Sequence, residues 1–199
     1  MRDVFADGQR DKALLDIGGK PMLAHVVDSL APQVGRLIIS ANGDPSRFAS
    51  FGLPVVADTI AGFAGPLAGL LAGMRWSTQH APEATHILSV STDAPFLPAD
   101  LAAKLQCAVR DRKHAIAIAS SGGKQHPVIG LWPTSLADEL EAALLAGTRK
   151  VSSWTEGIKP VTVDFPPVQL QGREVDPFFN ANTPEDLATV RDLLAQRGS

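Results

Sequence analysis

Three polar side chains stand where apolar runs of this chain end: Asn42, Asp58 and Asp93. The most informative is Asp93, in Ser91-Thr92-Asp93-Ala94-Pro95-Phe96, directly after Ile87-Leu88-Ser89-Val90. Such a run reads as a buried strand, and in open parallel α/β sheets ligands bind beyond the carboxyl ends of strands. A hard divalent cation takes oxygen ligands, commonly one or two carboxylates with substrate phosphates completing the shell. Asp93 is therefore the candidate ligand for a magnesium ion carried with a nucleotide. The plainer alternative is an aspartate that caps the next turn. Leu37-Ile38-Ile39-Ser40-Ala41 runs likewise into Asn42, and Pro54-Val55-Val56-Ala57 into Asp58. Each alone reads as turn chemistry. On one sheet edge together they outline a nucleotide cleft, where Asp58 could accept from the N–H donors of a guanine edge.

Two further groups invite chemistry. Lys12, in Asp11-Lys12-Ala13-Leu14-Leu15, precedes a strand-like apolar step and the turn Gly18-Gly19-Lys20-Pro21. A lysine there can reach triphosphate oxygens as a point charge, or can simply be a surface residue beside a turn. Asn180 and Asn182, in Phe178-Phe179-Asn180-Ala181-Asn182-Thr183-Pro184, can clamp a polar ligand or tie their own loop together as Asx turns. His126 reads as a packed or loop histidine with a substrate contact as the alternative, and Trp76, Trp132 and Trp154 as core or rim residues.

The elements that must position these groups alternate along the chain. Apolar β-branched runs at 37–41, 54–57, 87–90, 115–119, 125–131 and 161–163 read as strands. Helical spacing marks 21–30, 98–112 and 134–145, and Thr183-Pro184-Glu185-Asp186 is a helix start with an N-cap, a proline at N1 and acids in the first turn. Small residues around Gly65-Pro66-Leu67-Ala68-Gly69 read as a loop entering a helix packed close on the sheet. Strands alternating with helices predict an α/β fold with a mostly parallel sheet, helices on both faces, and one domain over 1–199.

Composition narrows the function classes. With 45% hydrophobic residues, 20% charged residues and a net charge of −3, a nucleic-acid backbone or an anionic membrane is not the expected partner. Cys107 is the single cysteine, so neither an intrachain disulfide nor a cysteine zinc cluster is available. The expectations are a cytoplasmic, monomeric protein.

Taken together, Asp11-Lys12-Ala13-Leu14-Leu15, Gly18-Gly19-Lys20-Pro21, Ser40-Ala41-Asn42, Asp58, Gly65-Pro66-Leu67-Ala68-Gly69, Thr92-Asp93-Ala94-Pro95-Phe96, His126-Pro127-Val128 and residues 179–186 closely resemble the molybdenum cofactor guanylyltransferase (MobA) family. The resemblance implies a Rossmann-like nucleotidyltransferase fold and transfer of GMP from Mg-GTP to molybdopterin carrying molybdenum, with release of pyrophosphate. It implies that Lys12 contacts GTP phosphates, that Asn42 and Asp58 bind the guanine nucleotide, and that Asp93 holds Mg²⁺. It further implies that Gly65 keeps its loop close to substrate, that Asn180 and Asn182 serve the pterin side or organise that loop, and that contacts with cofactor-delivery proteins or molybdoenzymes are transient. The alternatives are a cytidylyl- or sugar-phosphate nucleotidyltransferase, or a pterin- or nucleotide-binding protein without catalysis.

One departure stands out. The family opens with an apolar strand running into Leu-Ala-Gly-Gly-x-x-x-Arg-Met-Gly, whose amides serve the triphosphate. This chain opens with Met1-Arg2-Asp3-Val4-Phe5-Ala6-Asp7-Gly8-Gln9. The resemblance therefore implies that the first strand and most of the glycine loop are missing, with Met1 and Gly8 as remnants. It sets the natural protein at roughly 15–25 residues longer, the size of a strand plus a loop, and this form as poorly active.

Overall fold

Residue 118 points one way out of the sheet and residue 119 the other, and that alternation organises the molecule. The computed structural model describes residues 11–60, 65–112 and 114–195. Its central sheet has four strands: β5 (His86–Ser89), β7 (Lys124–Pro133), β6 (Ala117–Ser121) and β8 (Val161–Asp164), in that spatial order. Ala117 and Ala119 of β6 face a cluster with Ile129, Phe165 and the helices α1 (Met22–Leu30) and α3 (Leu101–Ala108). Ile116 and Ile118 face a second cluster with Trp132, Trp154, α2 (Pro66–His80) and α4 (Ala137–Leu145). A strand with both faces buried reads as a near-continuous apolar run, as residues 115–119 leading into β6 do. Helices thus cover both faces, as expected.

The sheet is less parallel than expected. Among the described ladders, β6–β8 is parallel, whereas β7 runs antiparallel to both β5 and β6. The reason lies in the connection between β6 and β7. Ser121 pairs with Lys124 across Gly122 and Gly123, whose φ values are 54° and 77°. A two-residue turn with positive φ at both positions reverses the chain and cannot make a crossover. The second parallel ladder, β3 (Ile39–Ser40) with β4 (Val55–Val56), stands apart from the four-stranded sheet.

A third apolar cluster fastens the C-terminal helix α6 (Pro184–Ala195). Leu187, Val190, Leu193 and Leu194 pack on Ile17 and Met22, at the small hairpin of β1 (Asp16–Ile17) and β2 (Lys20–Pro21). Gly18 and Gly19 make that turn with φ of 64° and 88°. A further hairpin, β9 (Val168–Leu170) and β10 (Arg173–Val175), contributes Leu170 to this cluster, and a short helix α5 (Val151–Thr155) contributes Val151 and Trp154 to the second.

Gly130 has no room for a side chain. A Cβ there would lie 2.7 Å from the Ala117 carbonyl oxygen and 3.0 Å from the Trp132 ring. The first obstacle is backbone and cannot rotate away. Gly130→Ala is therefore expected to destabilise the fold by about 2 kcal/mol, in the range for overpacked interiors, read as a lower urea midpoint at unchanged slope.

Candidate functional site

Lys12 does not lie on a strand. Asp11 caps a single 3₁₀ turn, Lys12–Leu14, by accepting from the Ala13 amide at 3.1 Å, and this turn buries Ala13 while leaving Lys12 partly exposed. Its amino group lies 2.7 Å from Asp93 Oδ2 and donates to Asn182 Oδ1 at 2.8 Å. Asp93 follows β5, and its carbonyl accepts from the Ala181 amide at 3.2 Å. The Asn182 amide side chain points back to the Asn180 carbonyl at 3.5 Å. Lys12, Asp93, Asn180 and Asn182 are thus brought together from three distant stretches of sequence. Asn180 Oδ1 is buried and has no hydrogen-bond partner among the described residues.

Asn42 and Asp58 form a second group, and they pair with each other. Asn42 Nδ2 donates to Asp58 Oδ2 at 2.7 Å, and the Asp58 amide donates to Asn42 Oδ1 at 2.9 Å. The clasp ties the carboxyl ends of β3 and β4. Gly65 precedes α2 with φ 139° and ψ 174°, a conformation that strains any residue with a Cβ. A cavity of about 980 Å³ is lined by Asn42, Asp58, Gly65 and Asp93, and by Asp11, the neighbour of Lys12 in sequence. The three strand ends therefore line one cavity, although β3 and β4 are not hydrogen-bonded to the sheet that holds β5, so the single sheet edge expected from the sequence is not formed among the described residues. The chain opening, with Met1 and Gly8, lies outside the described residues.

Arg47 joins the two groups and was not singled out in the sequence. It lies 3.7 Å from Asp11 Oδ2, donates to the Asn42 carbonyl, and covers the Phe48 ring at 4.8 Å. Its only local signal is position, as the cation of the segment after Asn42. His126 is packed, as its plainer reading held: it donates from Nε2 to Ser121 Oγ at 2.8 Å and lies 4.9 Å from the Phe178 ring. Ser121 donates in turn to Asp176 at 2.7 Å. Burial pushes the His126 imidazole below its ordinary pKa, Asp176 opposes that, and Lys124 adds to it. This network pins the loop that carries Asn180 and Asn182.

The other end of that loop is held by Asp186. Its carboxylate accepts from the Asn182 and Thr183 amides at 2.9 and 2.8 Å, while its own amide donates to Thr183 Oγ1 at 3.0 Å. This reciprocal arrangement is a capping box at the start of α6. Partial burial works against the Asp186 charge, but the two amides, the Thr183 side chain and the nearby Lys12 outweigh it and hold the pKa below the usual value. A depressed carboxylate pKa gives stability above the unfolded value of about 3.9 that is lost as pH falls through the lower folded value. Asp186→Ala is expected to cost about 1 kcal/mol, as for a lost helix cap, and to flatten the stability loss below about pH 4. Thermal melts from pH 7 to pH 3 check both.

As a metal centre the site is sparse. Among the described residues no three His, Cys, Asp or Glu side chains gather to hold an ion. One carboxylate, Asp93, with the Asn182 amide oxygen near the same lysine, fits a magnesium ion whose remaining ligands are phosphates and water, not an all-protein cage.

The chain matches the model of the MobA-like NTP transferase domain over residues 6–161. It is 50% identical to a molybdenum cofactor guanylyltransferase of Bradyrhizobium sp. (strain ORS 278) over 189 residues, covering 94% of this chain and 87% of the relative. A molybdenum cofactor guanylyltransferase of Rhodopseudomonas palustris (strain BisB5) is 50% identical over 193 residues, covering 96% of this chain and 89% of the relative. Among solved structures, molybdopterin-guanine dinucleotide biosynthesis protein A from Archaeoglobus fulgidus shares the fold with a TM-score of 0.69 at 21% identity, over 94% of this chain and 92% of that one. With the strand-end cleft and its lysine–aspartate pair in place, the chain belongs to the MobA-like NTP transferase family, among the molybdenum cofactor guanylyltransferases.

Proposed function

We propose that the protein transfers GMP from Mg-GTP to the terminal phosphate of molybdopterin carrying molybdenum, forming the guanine dinucleotide cofactor and pyrophosphate. The observation that carries this reading is Lys12, set 2.7 Å from Asp93 and 2.8 Å from Asn182 at the edge where the strands end. The relatives at 50% identity support guanine as the base and the molybdenum cofactor as acceptor.

Two polyanions must approach each other for this reaction. An acceptor phosphate oxygen forms a bond to the α-phosphorus in line with the bond to the bridging oxygen, which breaks as pyrophosphate leaves. The acceptor oxygen is already anionic, so alignment and charge screening matter more than a strong base. Lys12 swings from Asp93 to the phosphates and neutralises charge as it moves to the leaving group. Asp93 would hold Mg²⁺, which when bound supplies a Lewis acid and a template for the phosphates. Asp58 accepts from the guanine edge, with Asn42 holding its carboxylate in place. Gly65 lets backbone approach the nucleotide, and Asn180 and Asn182 face the pterin side. Arg47 adds a second positive charge at the nucleotide end.

The protein acts as a monomer in the cytoplasm, with transient contacts to delivery proteins or molybdoenzymes. In support, Leu145 is the one large hydrophobic residue exposed among those described, and no described helix is long and apolar enough to cross a membrane. The test is transfer of label from α-labelled GTP or CTP to molybdenum-loaded molybdopterin. Guanine dinucleotide with GTP, and at least tenfold less product with CTP, is the expected result. Preference for CTP, or transfer only to a sugar phosphate, would overturn the reading.

A further inference from the structure

His126-Pro127-Val128 sits where the β6–β7 ladder breaks. Ser120 pairs with Gln125 and Ile118 with Gly130, so Ala119 alone stands opposite residues 126–129. Pro127 has no N–H to give to a ladder, and strands bulge where a proline is accommodated. A bulge re-aims the side chains around it and is common beside active sites. Here the His126 imidazole meets Phe178, on the face of the sheet that also carries Ala117 and Ala119. Ser121 continues that face by strand alternation.

The imidazole holds the loop from Asp176 to Asn182 in two ways. Its Nε2 donates to Ser121 Oγ at 2.8 Å, and Ser121 donates on to Asp176 Oδ1 at 2.7 Å. The same carboxylate oxygen accepts from the Phe178 amide at 2.9 Å. A serine hydroxyl carries one proton, and here it goes to Asp176, so towards His126 the Ser121 oxygen can only accept. The imidazole ring lies 4.9 Å from the Phe178 ring, which meets Phe165 edge-on at 5.3 Å. Ser121 is 5% exposed and the His126 side chain 10%. Hydrogen bonds in series and shielded from water reinforce one another and fix a single arrangement.

A few residues beyond Phe178 the same loop reaches the lysine–aspartate pair. Ala181, itself buried, donates to the Asp93 carbonyl at 3.2 Å, and Asn182 accepts from Lys12 at 2.8 Å. So short a segment, fixed at both ends, passes a shift of Phe178 on to Asn180 and Asn182. The nucleotide group is held separately: Asn42 and Asp58 bond to each other and Asn42 to Arg47, on strands that share no ladder with β7. We propose that His126 is a positioning residue for the acceptor substrate: through Ser121 and Phe178 it sets where Asn180 and Asn182 stand, and it leaves the nucleotide end untouched. The acceptor side of this proposal rests on the reading that those two asparagines face the pterin.

Two substitutions separate the ring from the donor. His126→Phe keeps a ring against Phe178 and loses the bond to Ser121, whereas His126→Gln keeps a donor near the Nε2 position and loses the ring. KM for molybdenum-loaded molybdopterin is expected to rise about tenfold in His126→Phe and about threefold in His126→Gln, with KM for GTP within about twofold of the parent in both. Without any substrate, the Ala181 amide should exchange with solvent about tenfold faster in His126→Phe. Adding Ser121→Ala to His126→Phe should then cost little more, since both remove the same link. Unchanged Ala181 exchange in His126→Phe overturns the proposal. A proportional rise in both KM values, tracking a fall in Tm, overturns it too, because it marks a general loss of structure. If the parent chain transfers GMP to no pterin phosphate, the proposed function falls instead, and Ala181 exchange alone decides whether His126 sets the loop.

Discussion

Asp93→Asn is expected to lower kcat/KM for GMP transfer by about a thousandfold, near the upper end for removing one electrostatic contact from a preorganised site. The substitution keeps the shape of the side chain and removes its charge. The Asp93 carbonyl still accepts from the Ala181 amide, and the side chain is not part of an apolar cluster, so the fold should survive. What goes is the carboxylate proposed to share a metal with the triphosphate. The kinetic signature is a fall in kcat with partial recovery at high Mg²⁺ or with Mn²⁺, which binds the weaker amide ligand better than Mg²⁺ does. Unchanged turnover would remove Asp93 from the chemistry and leave it as a partner that holds Lys12.

Lys12→Met should cost about a hundredfold or more in kcat/KM, most of it in kcat, because the proposed mechanism places the ammonium where charge accumulates on pyrophosphate. Methionine keeps much of the length and none of the charge. It also leaves Asp93 without its counterion, so the two substitutions are coupled. Residues 2.7 Å apart in one network are not expected to add. The double variant Lys12→Met/Asp93→Asn should be little worse than the poorer single one, and the cycle measures the difference. Lys12→Arg should recover only part of the loss, since a planar fork does not replace a compact point charge.

How far the site could be read from the chain depended on the range of the signal. The ends of β3, β4 and β5 were legible because each is a local step from an apolar run to a polar residue. The start of α6 was legible for the same reason: Thr183 and Asp186 make their reciprocal contacts within three residues. The apolar step after Lys12 is strand-like in sequence yet closes a 3₁₀ turn over Lys12–Leu14, because Leu14-Leu15 carries no sign of the turn that Asp11 caps. Lys12 and Asn182 are 170 positions apart, and Ser121 and Asp176 are 55 apart, so no periodicity could join them. Only the combination of motifs hinted at the first pair, and nothing hinted at the second. The five residues of α5 are too few for a helical period, and they hold because Val151 and Trp154 are buried beside Trp132. The direction of β7 was not legible in its own residues, because it is set by the positive-φ turn at Gly122-Gly123.

The proposed constellation straddles a seam between two apolar clusters that meet along α1, at Met22 and Leu23. Lys12 rides on Ala13, which belongs to the cluster of α1 and α3, whereas Asn182 follows Ala181, which belongs to the small cluster under α6. Cooperative units of unequal size open at unequal free energies. A modest rise in temperature can therefore part lysine from asparagine by loosening the C-terminal helix while the large cluster holds. Heat inactivation should precede the calorimetric melt, and cooling should restore turnover without any global refolding step.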